Sequence, residues 1–283
     1  MTVGLFKQQL ISDQKVSLED FFVLLSFVTG QSKAFLFAHE EYLLQEDQVT
    51  LLENLLKRRA LHEPISYLTG TQEFFGRNFS VNAHVLIPRP ETELLIEQVL
   101  SQMETSAVPT TFIDVGTGSG AIILTLSLEL ALRGQIHTYL GVDISSEALA
   151  VAQHNKTQLG ETAVQFLQSD LLVSIPETYW TDSVVVLANL PYVLESQYEQ
   201  AMPDVRLYEP ALALVSGIDG LDHYRRLIIE LSQKKLSSCT LYLEIDASQT
   251  DTLRKLLEQS LPNGLFEVWK DLAGHERLVR YSF

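Results

Sequence analysis

The sequence has little cysteine and little positive charge, and each shortage excludes a class of function. Cys239 is the only cysteine among 283 residues, so neither an intrachain disulfide nor a cysteine metal cluster can form. Because Cys239 lies in a strand-like run, we expect a buried and inert thiol. The 20 Lys and Arg residues stand against 36 Asp and Glu, which gives a net charge of -16 at pH 7. A general attraction to nucleic acid or anionic membranes is therefore excluded, which leaves room only for a small basic patch.

Long apolar runs and paired histidines are missing as well. No uninterrupted apolar run approaches the roughly 18 residues that a membrane-spanning helix needs. Residues 1–10 include Lys7 and two Gln, which are too polar for the core of a signal peptide. We therefore expect a cytoplasmic protein with no membrane association. The seven histidines are far apart and form no H-x-x-x-H pair, so we expect no metal site.

The apolar content is sufficient for a full core and a second small domain, at 46% of 283 residues. Residues 1–71 carry apolar side chains at helical spacing, which predicts a small helical domain. In residues 72–90, an alternating segment surrounds a turn signal at Gly76, and Pro88 and Pro90 then break any helix. We interpret this segment as a β-hairpin linker that leads into a third region, residues 91–283.

The third region alternates between strand-like and helix-like segments. We predict strands over residues 112–115, 138–143, 164–167, 184–187, 240–245, 266–270 and 277–281. We predict helices over residues 121–132, 146–159, 220–236 and 250–261. Such alternation is typical of a doubly wound α/β fold, in which helices cover both faces of a sheet.

A glycine-rich turn follows the first predicted strand. Residues 114–120 read Asp-Val-Gly-Thr-Gly-Ser-Gly and lead into a helix, and in open α/β sheets ligands bind at the carboxyl ends of strands. Asp143 ends the second strand, where a carboxylate would accept both hydrogens of a ribose diol. Together these features predict an adenosine site. They also fit a dinucleotide fingerprint, so a nicotinamide enzyme is an alternative, as are a ligand-free turn and a helix N-cap role for Asp143.

The segment after the fourth strand favours methyl transfer to a planar nitrogen. An amide or aromatic amine nitrogen is a poor nucleophile because its lone pair is delocalised, so it must be aimed at an activated methyl group. The Asn189 side-chain oxygen and the Leu190 carbonyl could accept its N–H hydrogens while Tyr192 packs on the planar group. Such positioning needs neither a metal nor a strong base. An ordinary strand exit with Asn and Pro as turn formers is the alternative.

Several motifs occur in the order characteristic of one enzyme family. They are Ile87-Pro88-Arg89-Pro90-Glu91-Thr92-Glu93, the glycine loop 116–120 and Asn189-Leu190-Pro191-Tyr192. Further matching segments at residues 63–70, 73–76, 209–214, 219–221 and 270–277 extend the likeness over nearly the whole chain. The sequence resembles the peptide chain release factor glutamine methyltransferases, the HemK/PrmC family.

The resemblance implies both a fold and a reaction. The fold would be a class I, Rossmann-like α/β methyltransferase domain with a seven-stranded, mostly parallel sheet, preceded by a small N-terminal helical domain and a β-hairpin linker. The reaction would be N5-methylation of the Gln of a Gly-Gly-Gln motif, with S-adenosyl-L-methionine as the cofactor. The helical domain would recognise class 1 release factors as protein substrates. We expect a monomer that makes no direct contact with nucleic acid.

The resemblance also implies roles for individual residues. The cofactor would be bound by Gly116, Thr117, Gly118, Ser119, Gly120, Asp143, Asp170, Leu171 and Asn189. The substrate amide would be bound, and its methylation catalysed, by Asn189, Leu190, Pro191 and Tyr192. Arg89 and Glu91 would lie near the mouth of the active site, although a salt bridge in the linker explains this charged pair equally well.

Leu190 departs from the family's usual Asn-Pro-Pro-Tyr motif. Asn-Leu-Pro-Tyr instead resembles the ribosomal RNA adenine-N6 dimethyltransferases. Leu190 keeps the backbone carbonyl that would accept the substrate hydrogen, and Pro191 restricts Leu190 to extended conformations. The placement of this acceptor can therefore be the same as in the usual motif. The acidic balance and the whole-chain likeness disfavour an RNA enzyme. Adenine methylation of RNA, glutamine methylation of a ribosomal protein and a cofactor-binding scaffold without turnover stay open as alternatives.

Overall fold

The computed structural model describes residues 1–13, 16–104, 108–234 and 236–283. The chain divides into two compact units. The first comprises Met1–Thr71 and Met202–Tyr208, and the second comprises Gln72–Ala201 and Glu209–Phe283. Lys235, which falls within the predicted helix 220–236, lies outside the described residues.

The first unit is built from short helices whose ends are marked by polar side chains. Its N-terminal helices are α1 (Val3–Asp13), α2 (Leu18–Thr29), α3 (Lys33–Ala38), α4 (Glu46–Arg59) and α5 (Ile65–Thr69). The Ser17 hydroxyl accepts a hydrogen bond from the Asp20 N–H at 3.0 Å and so begins α2, which Gly30 ends at φ 69°. Apolar residues of these helices form one buried cluster. The predicted helical N-terminal domain is confirmed.

A tight β-hairpin follows. Its strands are β1 (Thr71–Phe74) and β2 (Arg77–Ser80). Phe75 and Gly76, which join them, have φ values of 50° and 71°, as a type I′ turn requires. The turn is fastened by Glu93, whose carboxylate accepts the Phe75 N–H at 2.9 Å, and β2 is fastened by Asn155, whose side-chain oxygen accepts the Ser80 N–H at 2.7 Å. The predicted hairpin is confirmed.

The remaining elements comprise seven helices and seven strands in the described residues. They are α6 (Glu93–Met103), β3 (Thr111–Val115), α7 (Ala121–Leu132), β4 (Thr138–Asp143), α8 (Ser146–Gln158), β5 (Val164–Gln168), β6 (Val184–Ala188), α9 (Glu195–Tyr198), α10 (Pro203–Tyr208), α11 (Asp222–Ser232), β7 (Cys239–Glu244), α12 (Thr250–Ser260), β8 (Leu265–Lys270) and β9 (Glu276–Ser282). The helix predicted over 220–236 is shorter at both ends, and Gly220 is excluded from its start by a left-handed φ of 73°. Over the described ranges, no helix combines the length and apolar character needed to cross a membrane.

Seven strands form one sheet in the order β5-β4-β3-β6-β7-β9-β8. Strands β3 to β7 are parallel to one another, while β9 is antiparallel to both β7 and β8. Every residue of β3 and β6 is buried, as expected for central strands covered on both faces. Alternate residues of β3 belong to two different apolar clusters, because successive side chains point to opposite faces. The predicted seven-stranded, mostly parallel fold is confirmed.

The strand order places two loops side by side. The chain runs from β3 outward to β5 and then returns to β6 on the other side of β3. Ligands of open α/β sheets bind where the strand order reverses in this way. The last residues of the two strands, Val115 and Ala188, are paired in register. The glycine loop and the Asn189 segment therefore leave the sheet next to each other.

An ion pair with a buried carboxylate stabilises the end of the linker. The Glu209 side chain is 2% exposed and accepts hydrogen bonds from the Arg89 guanidinium and, at 3.2 Å, from the Ile87 N–H. We expect Arg89→Ala to lower the free energy of unfolding by about 3 kcal/mol, because it leaves a buried carboxylate without its counter-charge. Urea denaturation measures this loss.

Arg133→Ala is the matched control. The Arg133 side chain is 36% exposed, close to the 34% of Arg89, but its partner Glu104 is 66% exposed and lies at 3.8 Å. Breaking such a surface pair costs at most about 1 kcal/mol. Equal losses of stability in the two variants would contradict the stabilising role of the Arg89–Glu209 pair.

Candidate active site

One pocket of about 400 Å³ opens at the carboxyl ends of the central strands. It brings together the glycine loop, the end of β4, the turn after β5 and the segment after β6. Of the residues that the sequence predicts to bind the cofactor, the pocket is lined by Gly116, Thr117, Gly118, Ser119, Asp143, Asp170, Leu171 and Asn189. Gly120 does not line it and instead begins α7.

The glycine loop needs glycine for both conformation and space. Gly116, Gly118 and Gly120 have φ values of 73°, 54° and 79°, in the region that other residues rarely adopt. A Cβ atom on Gly116 would lie 3.0 Å from Cδ2 of Leu190, and one on Gly120 would lie 2.9 Å from Cδ1 of Leu124. The loop is therefore closely packed, and its backbone forms one side of the pocket.

Asp143 organises this side of the pocket. Its Oδ2 accepts the Gly118 N–H and its Oδ1 accepts the Ser145 N–H, both at 2.9 Å. Burial raises the pKa of Asp143, and these two N–H groups oppose the rise. The N-cap of α8 is Ser145, whose hydroxyl accepts the Ala148 N–H at 3.1 Å, so Asp143 is not the cap. Each Asp143 oxygen has a second lone pair for a further donor.

Asp114 is a second, more deeply buried carboxyl group beside the glycine loop. Its Oδ2 accepts the Thr117 hydroxyl at 2.6 Å, whereas its Oδ1 has no hydrogen-bond partner in the parts of the chain that are described. Burial raises the pKa of Asp114 to about 7, while the hydrogen bond from Thr117 lowers it and the charge of Asp143 adds to the rise. In the sequence, Asp114 is marked by its position as an acidic residue in the mostly apolar strand β3.

The far side of the pocket comes from the turn after β5 and from α11. Asp170 forms an ion pair with Arg226 at 2.7 Å, and Leu171 is buried with a left-handed φ of 48°, a strained value for a branched residue. His223 also lines the pocket, and its Nδ1 lies 2.7 Å from the Ser216 hydroxyl. Sequence reasoning missed Arg226 and His223, because nothing in their spacing links them to the glycine loop.

Three of the four residues of the Asn-Leu-Pro-Tyr motif line the pocket, and Tyr192 does not. The Asn189 side-chain Nδ2 donates a hydrogen bond to the Thr92 hydroxyl at 3.1 Å. The Tyr192 hydroxyl donates to Oε1 of Glu244 at 3.2 Å, and the Tyr192 carbonyl accepts from Nε2 of Gln249 at 2.8 Å. Stacking of Tyr192 on a planar substrate stays a prediction.

The charged pair of the linker lies beside the pocket lining rather than within it. Arg89 forms its salt bridge with Glu209 and not with Glu91, which is exposed in the short 3₁₀ turn Pro90–Thr92. The motif of residues 87–93, to which Arg89 and Glu91 belong, contributes Pro88 and Thr92 to the pocket lining. The motif therefore reaches the pocket through its uncharged residues.

The single cysteine lies away from the pocket. Cys239 is buried, and burial raises the pKa of its thiol, which confirms the predicted buried cysteine. Among the residues with described positions, no group of three or more His, Cys, Asp and Glu side chains could hold a metal ion.

Solved structures share the fold at low sequence identity. The human Mettl16 catalytic domain, in complex with a MAT2A 3′UTR hairpin, is 15% identical, with a TM-score of 0.55 over 84% of this chain and 82% of that chain. The human methyltransferase 10 domain containing protein is 18% identical, with a TM-score of 0.50 over 74% of this chain and 88% of that chain. At such identities the likeness concerns the fold alone.

Sequence relatives are more informative. Residues 8–70 match the family model of the PrmC N-terminal domain, and residues 108–208 match that of a methyltransferase domain. A release factor glutamine methyltransferase of Bacillus cereus is 39% identical over 83% of this chain and 82% of that protein. Proteins of the same name from Bacillus subtilis and Streptococcus pneumoniae are 33% and 32% identical over 91% and 97% of this chain, and over 88% and 94% of their own lengths. The chain therefore belongs to the release factor glutamine methyltransferase family.

Proposed function

We propose that this protein methylates the side-chain amide nitrogen, N5, of the Gln in the Gly-Gly-Gln motif of class 1 release factors, and thereby modulates translation termination. S-adenosyl-L-methionine is the methyl donor. The observation that carries the proposal is that Asn189 and Leu190 share one pocket with the glycine loop and Asp143. Membership of the family disfavours a nicotinamide enzyme, which the glycine loop alone left open.

The pocket fits this cofactor in its donor set. The carboxylate of Asp143, which lines the pocket, has lone pairs for a ribose diol. The glycine loop would hold the methionine part, and Asp170 and Leu171 would border the adenine. When bound, the cofactor supplies an electrophilic methyl group on a positively charged sulfur.

The chain's own contribution is to orient a weak nucleophile. Because Nδ2 of Asn189 is directed at Thr92, Oδ1 is the atom left to accept an N–H of the substrate amide. The Leu190 carbonyl would accept the other N–H. Two acceptors on one planar group hold its nitrogen in a single direction and stabilise the positive charge that develops there as the new bond forms.

Leu190 can serve in place of the usual proline because its carbonyl is unchanged. Its side chain is 3% exposed and packs against the glycine loop. Burial raises the pKa of Tyr224, and the backbone at Leu190 opposes that rise. A proline at position 190 would keep the carbonyl and lack only the backbone N–H.

Release factor recognition is assigned to residues 1–71, with residues 72–90 as the linker and residues 91–283 as the catalytic domain. The match of residues 8–70 to the PrmC N-terminal domain supports this division. A monomeric state and a cytoplasmic location are further predictions.

The test is a methyl-transfer assay. The purified protein is incubated with methyl-labelled S-adenosylmethionine and the release factors of its host, and the label is mapped by mass spectrometry. We expect one methyl group on the Gln of Gly-Gly-Gln and none on a Gln→Ala substrate. Label on a ribosomal protein or on RNA adenine instead, or cofactor binding without transfer to release factors, would overturn the proposal.

Asp143→Ala is expected to weaken cofactor binding about 10- to 150-fold, because a charge-assisted hydrogen bond is worth about 1.5–3 kcal/mol. Titration calorimetry with S-adenosylmethionine measures the change. Glu147→Ala is the control, because it removes the same charge from an exposed position in the first turn of α8. Unchanged affinity in Asp143→Ala would remove this residue from the site.

A further inference from the structure

We propose that Asn155 is a positioning residue that joins the linker to the glycine loop and thereby keeps two sides of the pocket in place for the cofactor. The inference rests on the proposed function, in which this pocket binds S-adenosylmethionine. Asn155 does not itself line the pocket, and it would act through the backbone of Ser119, which does.

The linker supplies one side of the pocket. Residues 83–86 line it, followed by Pro88. This stretch begins three residues after Ser80, the last residue of β2, so the placement of β2 decides where the stretch lies. The glycine loop supplies another side, with residues 116–119. Both sides must keep their positions if the pocket is to keep its shape.

The Asn155 side chain connects these two sides. Asn155 lies on α8 and is 0% exposed. Its Oδ1 accepts the Ser80 N–H at 2.7 Å, and its Nδ2 donates to the Ser80 carbonyl at 3.0 Å and to the Ser119 carbonyl at 2.9 Å. One amide group therefore binds both backbone groups at the end of β2 and one carbonyl of the glycine loop.

These partners leave the Asn155 amide a single orientation. A backbone N–H only donates and a carbonyl only accepts, so Oδ1 must face the Ser80 N–H, and both Nδ2 hydrogens go to carbonyls. Among side chains of this length, only Asn offers two donors beside an acceptor. Helix α8 also contacts the loop directly, since a Cβ on Gly120 would lie 3.3 Å from the Cβ of Ala152, one turn before Asn155.

Loss of the amide would affect the loop as well as the linker. Ser119 is 4% exposed, so its carbonyl would be left without a donor in a buried place. Ser80 would lose two bonds that hold the end of β2 to α8. The backbone on both sides of the pocket would then be freer to move, and cofactor binding would have to order it at a cost in affinity.

The first test is the affinity of Asn155→Ala for S-adenosylmethionine, measured by titration calorimetry on the folded protein. We expect the Kd to rise about 10-fold, the upper end for the loss of one neutral hydrogen bond. A merely structural role would lower the free energy of unfolding and leave this Kd unchanged, and that result would overturn the inference.

Glu161→Ala is the matched control. Glu161 is 7% exposed, does not line the pocket and, like Asn155, makes three side-chain hydrogen bonds: it accepts the Ser127 hydroxyl and the N–H groups of Ala163 and Val164. Both substitutions should lower stability, because both leave buried polar groups unpaired. Only Asn155→Ala should weaken cofactor binding, and an equal rise of the Kd in the two variants would contradict the inference.

Hydrogen exchange in the wild type is a second test, which needs no variant to fold. By reciprocity, a cofactor that binds more tightly because Asn155 holds the loop must stabilise the bonds of Asn155 by the same factor. Saturating S-adenosylmethionine should therefore slow exchange of the Ser80 N–H about 10-fold, if that N–H opens locally.

The Ala163 N–H is the internal control for this measurement. It is also held by a side-chain oxygen, that of Glu161 at 2.8 Å, and it precedes β5 at the end of the sheet away from the pocket. The cofactor should slow its exchange less than about twofold, because its opening is not coupled to the loop. No slowing at Ser80, or equal slowing at both positions, would overturn the inference.

Neither measurement uses a release factor, which separates this inference from the proposed reaction. A protein that binds the cofactor but does not methylate release factors would disprove the proposed reaction, and the Asn155→Ala affinity would still decide the inference. A protein that methylates them while Asn155→Ala binds the cofactor as tightly as the wild type would overturn the inference alone. A wild type that binds no S-adenosylmethionine would overturn both.

Discussion

Asn189→Ala is expected to lower the turnover number about 10²–10³-fold. The substitution deletes the side-chain oxygen that accepts a substrate N–H, and a single preorganised contact to a developing charge is worth this much in rate. Cofactor affinity should fall less than turnover, because the glycine loop and Asp143 are unchanged. Asn189 is only partly buried, so the loss of its hydrogen bond to Thr92 should leave the fold intact.

Single-turnover kinetics on a purified release factor measure this effect, with a Gln→Ala substrate as the blank. The control is Asn78→Ala, the same change at an exposed position in β2. Near-normal methylation by Asn189→Ala would contradict the role of the Asn189 oxygen. A shift of activity to adenine in RNA would favour the alternative reaction.

Gly220→Ala is expected to displace the backbone of the Asn-Leu-Pro-Tyr motif at Tyr192. A Cβ atom on Gly220 would overlap both the Tyr192 carbonyl oxygen and Nε2 of Gln249, which are hydrogen bonded to each other at 2.8 Å. Gln249 also donates to the Asp219 carbonyl at 3.1 Å, so it joins the motif to the start of α11. Relieving the overlap means moving the Tyr192 backbone, which carries the positions of Asn189 and Leu190. We expect a loss of about 3 kcal/mol of stability and a large loss of turnover.

Gly134→Ala is a closely matched control. Gly134 and Gly220 both have a φ of 73°, so both variants carry the cost of a left-handed alanine, about 1–2 kcal/mol. A Cβ on Gly134 would meet nothing within 4 Å. Urea denaturation and turnover of the two variants therefore separate packing from backbone strain. Equal losses in both would show that the overlap at Tyr192 has no consequence.

Local pattern was sufficient for the seven strands of the sheet and for one side of the pocket, whereas it did not predict the helices α6, α9 and α10. Strand β6 is a continuous apolar run, β3 is apolar apart from Thr111 and Asp114, and the glycine loop follows β3 directly. These strands and the loop are therefore determined by residues adjacent in the chain. The predicted helix over 220–236 shows the limit of this approach. Its apolar spacing extends past the true end, and the left-handed φ of Gly220 excludes the first position.

What the sequence by itself determined is thus the fold class, the strands of the sheet, four helices of the third region, and the motif whose amide chemistry points to methyl transfer. Only the tertiary structure decided which residues support that motif. The residues that surround the motif lie between 52 and 100 positions from Tyr192 in the chain: Thr92, Glu244 and Gln249. No spacing rule connects them to it. Glu244 and Gln249 meet the motif because β7 lies next to β6 in the sheet, whereas Thr92 meets it because the 3₁₀ turn Pro90–Thr92 lies at the pocket. Strand order depends on the burial of whole sheet faces by the packed layers rather than on any local segment.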